Sequence, residues 1–336
     1  MRVNLKRLSV LGLLLFFLSV NSWSITLKLA SPSPKGTVWE QAVKALGDAW
    51  NKTTGGKVKL KIYSGGVAGN EGDMLRKMEL GQLDGAILSG VGLNLIATDL
   101  LILSMPMFIR DYLELDYLLN KFGDSLEDIL YEKNFSLVGW QFLGWVHFFG
   151  TSKIVTPDDL RSQKLAVTKS DNVLQDVWQK MGFRIVPTAN EEVMIGLQTG
   201  RIDAFYSPPI LAASNQWFGL AKYMSEIPLS PLLAALIFTN KAWEKVPEEY
   251  RAELKKVTLE TMLPVVKQSE EISDQAVDIM LKNGLEILPI SESDRQKWSD
   301  VFNASYNKLI GPGKAISDDI YETASEILKD YRDLDK

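Results

Sequence analysis

Side chains able to do chemistry are sparse in this chain, and their scarcity narrows its function. Cysteine is absent. Disulfides, thiolate nucleophiles and cysteine-ligated metals are therefore excluded. His147 is the single histidine, which excludes a multi-histidine metal site. A Ser–His–Asp hydrolase would have to use His147, and no G-x-S-x-G elbow accompanies it. Strand alternation puts His147 on the face opposite Val146, a structural or surface place. Carboxylates pair at Asp158-Asp159 and Glu191-Glu192. Both pairs lie near expected helix starts, where they favour the helix dipole rather than a metal. Gly65-Gly66-Val67-Ala68-Gly69 follows a strand as a phosphate loop would, but lacks the Lys-Ser/Thr ending and reads as a turn. Metal and cofactor chemistry find no motif here, and an enzyme is not expected.

The elements that position these residues fall into two similar units. Lys164 to Thr168 reads as a short strand. A helix with Val173, Leu174, Val177, Trp178 and Met181 on its apolar face follows, and Gly182 ends it. A strand over Phe183 to Val186 is broken by Pro187. A helix from Glu191 to Gln198 and a strand from Ile202 to Tyr206 complete the unit. This is the grammar of a parallel sheet with helices on its faces. Ligands of such sheets bind beyond the carboxyl ends of the strands. Ala166 to Lys169, Pro187 to Asn190 and Tyr206 to Pro208 should then surround one site.

The same alternation occupies the first third. A strand at Ile25 to Ala30 is followed by a helix at Thr37 to Lys52 with Trp39, Val43, Leu46 and Trp50 on one face. Strands at Val58 to Tyr63 and Leu83 to Leu88 flank another helix, the second strand ending at Ser89-Gly90. Two such units predict two α/β lobes. Phe135 to Trp140 reads as a strand, followed by the aromatic run QFLGWVHFF. Tyr223 to Ile227 and Leu232 to Asn240 read as strands that cross between lobes. Glu248 to Met280 has helical periodicity long enough to lie across both lobes, with a kink at Pro264.

The chain has 336 residues, 46% hydrophobic and 24% charged, with a net charge of −5. That is a globular composition without the basic face of a nucleic-acid binder. Arg2, Lys6 and Arg7 precede an apolar run, Leu8 to Val20, of about 13 residues. This is near the length of a secretory leader and short of the roughly 20 that span a bilayer. Cleavage is expected after Ser24, giving an exported, periplasmic protein; an uncleaved anchor is the alternative.

Several stretches recur in an order shared with a known family. They are EGDMLRKMELGQLDGA (71–86), MPMFIRD (105–111), LVGWQFLGWVHFFGT (137–151), TPDDLRSQKLAV (156–167), EVMIGLQTGRID (192–203) and FTNKAWEKV (238–246). TPDDLRSQK and LQTGRID together are the most specific. The chain resembles the extracytoplasmic solute-binding subunit of tripartite ATP-independent periplasmic (TRAP) transporters. The resemblance implies an α/β, two-lobed periplasmic binding protein fold (type II-like), with a long helix spanning both lobes. Residues 25–143 and 233–272 would form one lobe, 144–232 and 273–336 the other. The lobes would close on a solute and deliver it to membrane permease subunits.

Departures from the family pattern concern the ligand. An arginine that grips the ligand carboxylate is replaced by Ala166. A second common arginine is replaced by Val146, a pocket aromatic by Asn190, and an asparagine by Ser207. Burying an unpaired carboxylate costs on the order of several kcal/mol, so the expectation is a neutral or apolar ligand. A branch of the family that works with a tetratricopeptide-repeat periplasmic protein has this kind of pocket, and the chain is similar to it. A conventional organic-acid binder using a substitute cation, Lys169 or Lys35, is the alternative. The expected ligand-binding residues are Trp39, Ser89, Trp145, Val146, Ala166, Thr168, Asn190, Tyr206 and Ser207. Trp39 and Trp145 suit the core about as well as the cleft.

Overall fold

The computed structural model describes residues 24–334, so the expected leader lies outside the described residues except for Ser24. The chain begins β1 (Ile25–Ala30), α1 (Val38–Thr53), β2 (Val58–Tyr63), α2 (Glu71–Glu79), β3 (Gly85–Ser89), the alternation expected. Next come α3 (Gly90–Ile96), α4 (Tyr112–Glu132) and β4 (Phe135–Gly150). The second unit is α5 (Pro157–Arg161), β5 (Leu165–Thr168), α6 (Asn172–Lys180), β6 (Ile185–Thr188), α7 (Val193–Gln198), β7 (Ala204–Ser207). Then follow α8 (Pro209–Ser214), β8 (Tyr223–Ser225) and β9 (Ser230–Thr239). The remainder is α9 (Asn240–Trp243), α10 (Glu248–Lys282), β10 (Glu286–Leu288), α11 (Glu292–Leu309) and α12 (Asp318–Leu334).

The strands follow the order β2-β1-β3-β9-β4-β7-β5-β6, with β8 beside β4 and β10 beside β8. Within each unit the strands are parallel: β1 with β2 and β3, β5 with β6 and β7. β9 and β4 run antiparallel to their neighbours and join the units.

β4 is one strand where two segments were expected. Residues Phe135 to Val146 pair with β9, and His147 to Gly150 pair with β7. Its register slips between Leu137 and Gly139 and again between Phe142 and Gly144. Gly144 has φ +118°, a conformation that suits glycine. Each bulge inserts a residue and resets the alternation of faces, which hides the strand from a period-2 reading. Pro187 is likewise inside β6, not at its end, and pairs with Val167. β6 is the sheet edge, where a missing N–H leaves no ladder bond unmade.

α10 is 35 residues long, bent, and continuous through Pro264. Leu254 packs with Val43, Leu46 and Trp50 of α1, and Thr258 accepts a hydrogen bond from Trp50 Nε1 at 2.9 Å. At its other end Met280 packs with Ala212 of α8. The helix therefore touches both units, as the resemblance implied.

Three of the stretches shared with the family fasten elements together. Asp203 accepts from the Lys164 backbone at 3.1 Å and pairs with its Nζ at 3.3 Å, pinning the start of β5. Thr156 and Asp159 cap α5 reciprocally. In the MPMFIRD stretch, Pro106 O accepts from Tyr306 of α11 at 2.6 Å.

Candidate functional site

A cavity of about 320 Å³ lies where the carboxyl ends of β5, β6 and β7 meet α3 and the β8–β9 segment. Ala166, Val167 and Thr168, then Thr188 and Asn190, then Tyr206, Ser207 and Pro208 all line it. The three strand ends therefore share one cavity, at the end of the sheet where ligands of parallel sheets bind. Ser89, Val146, Ala166, Thr168, Asn190, Tyr206 and Ser207 are in its wall. Val146 and Ala166 thus both face the cavity.

Trp39 and Trp145 are not in the wall. Trp39 packs near Met262 and Val265 of α10. Trp145 packs edge-on to Phe142 at 5.8 Å. Lys169 is also outside: its side chain is 64% exposed and its Nζ lies 4.0 Å from Glu192. The Lys35 stem rests near Gly65. His147 Nδ1 donates to Ser225 O at 3.1 Å. Burial holds its pKa below the ordinary histidine value.

Sequence reasoning passed over four residues here. Asn94, Asp171 and Trp178 line the cavity and are 4%, 1% and 1% exposed. Asp171 caps α6, its Oδ1 accepting from Leu174 N at 2.9 Å. Its Oδ2 accepts from Asn94 Nδ2 at 3.2 Å, a bond from the first unit to the second. Glu71 is the fourth and sits behind the wall. Its oxygens accept from Ser89 N at 3.1 Å, Ser89 Oγ at 3.0 Å and Gly92 N at 2.6 Å. A Cβ on Gly92 would fall 2.6 Å from Glu71 Oε2, so glycine lets α3 come this close. The readable signals were an aspartate at a helix start and a glutamate opening α2; neither says which way it points.

The site is acidic. Among the described residues, Asp171 is the one carboxyl side chain in the lining, and no lysine, arginine or histidine joins it. Burial raises the pKa of Glu71 and of Asp171 above ordinary carboxylate values, and Asp171 raises Glu71 further. The sign follows from linkage. Folded Glu71 holds its proton more tightly than unfolded Glu71, so its contribution is fully present below the ordinary value. It is lost as pH rises through the raised one. In urea unfolding, stability of the wild type relative to Glu71→Gln should therefore fall as pH rises from the ordinary glutamate range toward neutrality. A flat difference would mean that Glu71 titrates as it does in the unfolded chain.

A family model described as DctP, bacterial extracellular solute-binding protein family 7, matches residues 29–311. The chain belongs to this family. Among curated relatives, a solute-binding protein of Chromohalobacter salexigens is 27% identical over 65% of this chain and 64% of its own length. The 2,3-diketo-L-gulonate-binding periplasmic protein YiaO of Escherichia coli is 26% identical over 77% of this chain and 79% of its own. A TRAP periplasmic solute-binding protein of Pseudomonas putida, solved with D-glucuronate, superposes with a TM-score of 0.78 at 19% identity, covering 92% of this chain and 97% of that one. Structural likeness at that identity establishes the shared fold. As a DctP-family member the chain has the two-lobed α/β architecture expected, and among its described residues no helix is long and apolar enough to cross a membrane.

Proposed function

We propose that this DctP-family protein is the capture subunit of a TRAP-type transporter. It binds a small solute in the 320 Å³ cavity and passes it, chemically unchanged, to a membrane permease after export by the leader. The charge of the lining carries the ligand class. No described lysine, arginine or histidine is in the wall, while Asp171 is. An ionised carboxylate there would lack a counter-charge and face a like one. The geometry therefore favours a solute without net negative charge, met by apolar surface and a few polar groups. The same vacancy supports a place in the branch that uses a tetratricopeptide-repeat periplasmic partner.

A second reading rests on the relatives. The ligands named for them, 2,3-diketo-L-gulonate and D-glucuronate, are acids. They favour an organic-acid binder over the uncharged ligand expected from the sequence. On that reading Lys169 leaves Glu192 and supplies the missing cation.

Calorimetry with D-glucuronate and with its uncharged amide separates the two. The first reading expects no measurable heat from glucuronate, and neutral molecules in native mass spectra of gently purified protein. Tight glucuronate binding that weakens at least about tenfold in Lys169→Ala, the worth of about 1.4 kcal/mol, would establish the second reading and end the first.

A further inference from the structure

Buried polar atoms normally have hydrogen-bond partners, so those without one invite explanation. Among the described residues a few buried side-chain polar atoms lack any protein partner, and three of them line the one cavity: Asn94 Oδ1, Trp178 Nε1 and Tyr206 Oη. They are neighbours. Asn94 bonds Asp171. The Asp171 charge and the Trp178 indole N–H are both felt at the Tyr206 hydroxyl. The Tyr206 and Trp178 rings are 5.4 Å apart.

Their chemistry is complementary. The indole N–H can only donate, the amide oxygen can only accept, and the phenol can do both. The amide orientation is settled by Asp171. Asn94 donates through Nδ2 to Asp171 Oδ2, which turns its NH₂ there and its oxygen elsewhere.

We infer that Asn94, Trp178 and Tyr206 form a hydroxyl reader: the transported solute presents an O–H group that donates to Asn94 Oδ1 and accepts from Trp178 Nε1 or Tyr206 Oη. Asp171 is a positioning residue that fixes the amide. The inference rests on the reading of this cavity as the solute site, and it applies to charged and uncharged solutes alike. The reader spans the two units, because Asn94 belongs to α3 and the others to the second unit. A solute that satisfies it is held by both at once.

The test uses three probes of similar size on the full mature chain: cyclohexanol, cyclohexyl methyl ether and methylcyclohexane. These can donate and accept, accept only, and do neither. Binding is followed by NMR through the Trp178 indole N–H signal, assigned with Trp178→Phe, and through the methyl signals of Val146 and Leu232. Cyclohexanol should bind about tenfold more tightly than methylcyclohexane, the worth of one or two net hydrogen bonds, with the ether between, and should move the indole signal. Tyr206→Phe should narrow that preference severalfold. It should leave the stability of the empty protein unchanged or higher, because the hydroxyl it removes has no protein partner; a structural hydroxyl would show the opposite. If all three probes move the methyl signals with equal affinity and the indole stays still, the reader is overturned and the solute site stands. If no probe moves any cavity signal, the solute reading of the cavity falls with it.

Discussion

Trp298→Ala is expected to lower folding stability by about 3–5 kcal/mol, the usual range for losing a buried large aromatic. Trp298 is 1% exposed. It stacks on Phe148 of β4 at 5.3 Å and on Phe302 of its own helix at 5.6 Å. Its Nε1 donates to Val155 O at 2.8 Å. The substitution removes the plug between α11 and the second unit and leaves that carbonyl without its donor. Urea unfolding at neutral pH measures the loss. Trp298→Phe, which keeps most of the packing, should cost clearly less. Equal losses would mean the hydrogen bond dominates over the packed volume, and a loss below about 1 kcal/mol, the middle of the range for ordinary substitutions, would sink the claim that this ring anchors the helix.

Arg332→Ala should be nearly as damaging, about 3–5 kcal/mol if the whole fold feels it. Glu114 is 3% exposed and takes two bonds from the guanidinium, at 2.7 and 2.8 Å. The same guanidinium donates to Phe108 O at 2.9 Å. Removing Arg332 strands a buried carboxylate between α4 and α12. The double variant Arg332→Ala with Glu114→Gln should recover much of the loss, because the penalty lies in the unpaired charge more than in the missing pair. Hydrogen exchange of α12 tells global from local loss. If exchange in α12 alone accelerates while the unfolding midpoint holds, the pair fastens the last helix and not the fold.

Much of the architecture was legible because it is written in local periodicity. Leu46 and Trp50 recur on one face of α1, and turn residues such as Gly182 mark the ends of elements. What escaped was whatever breaks local period. β4 was read as ending at Trp140 because its bulges near Gly139 and Gly144 shift the faces. Pro187 was read as a breaker because its tolerance depends on lying at a sheet edge, which is a fact about neighbours.

The candidate site divides the same way. That apolar residues stand at 146 and 166 could be read from the chain, and so could the place of Ala166 near the carboxyl end of a strand. The polar corner could not. Asn94 and Asp171 are 77 residues apart and meet through a side-chain bond between two units. Trp178 and Glu71 read as ordinary members of helices.

The amino-acid order by itself determined the two strand–helix units, the long C-terminal helices, and the exclusion of cysteine chemistry and of a multi-histidine metal site, because these depend on near-neighbour spacing or simple presence. Only the tertiary structure decided that, among the described residues, the cavity wall holds one carboxyl group and no cation, and that three polar atoms without a protein partner line it. A side chain's direction into a shared space is set by how distant elements pack, and no local period encodes it.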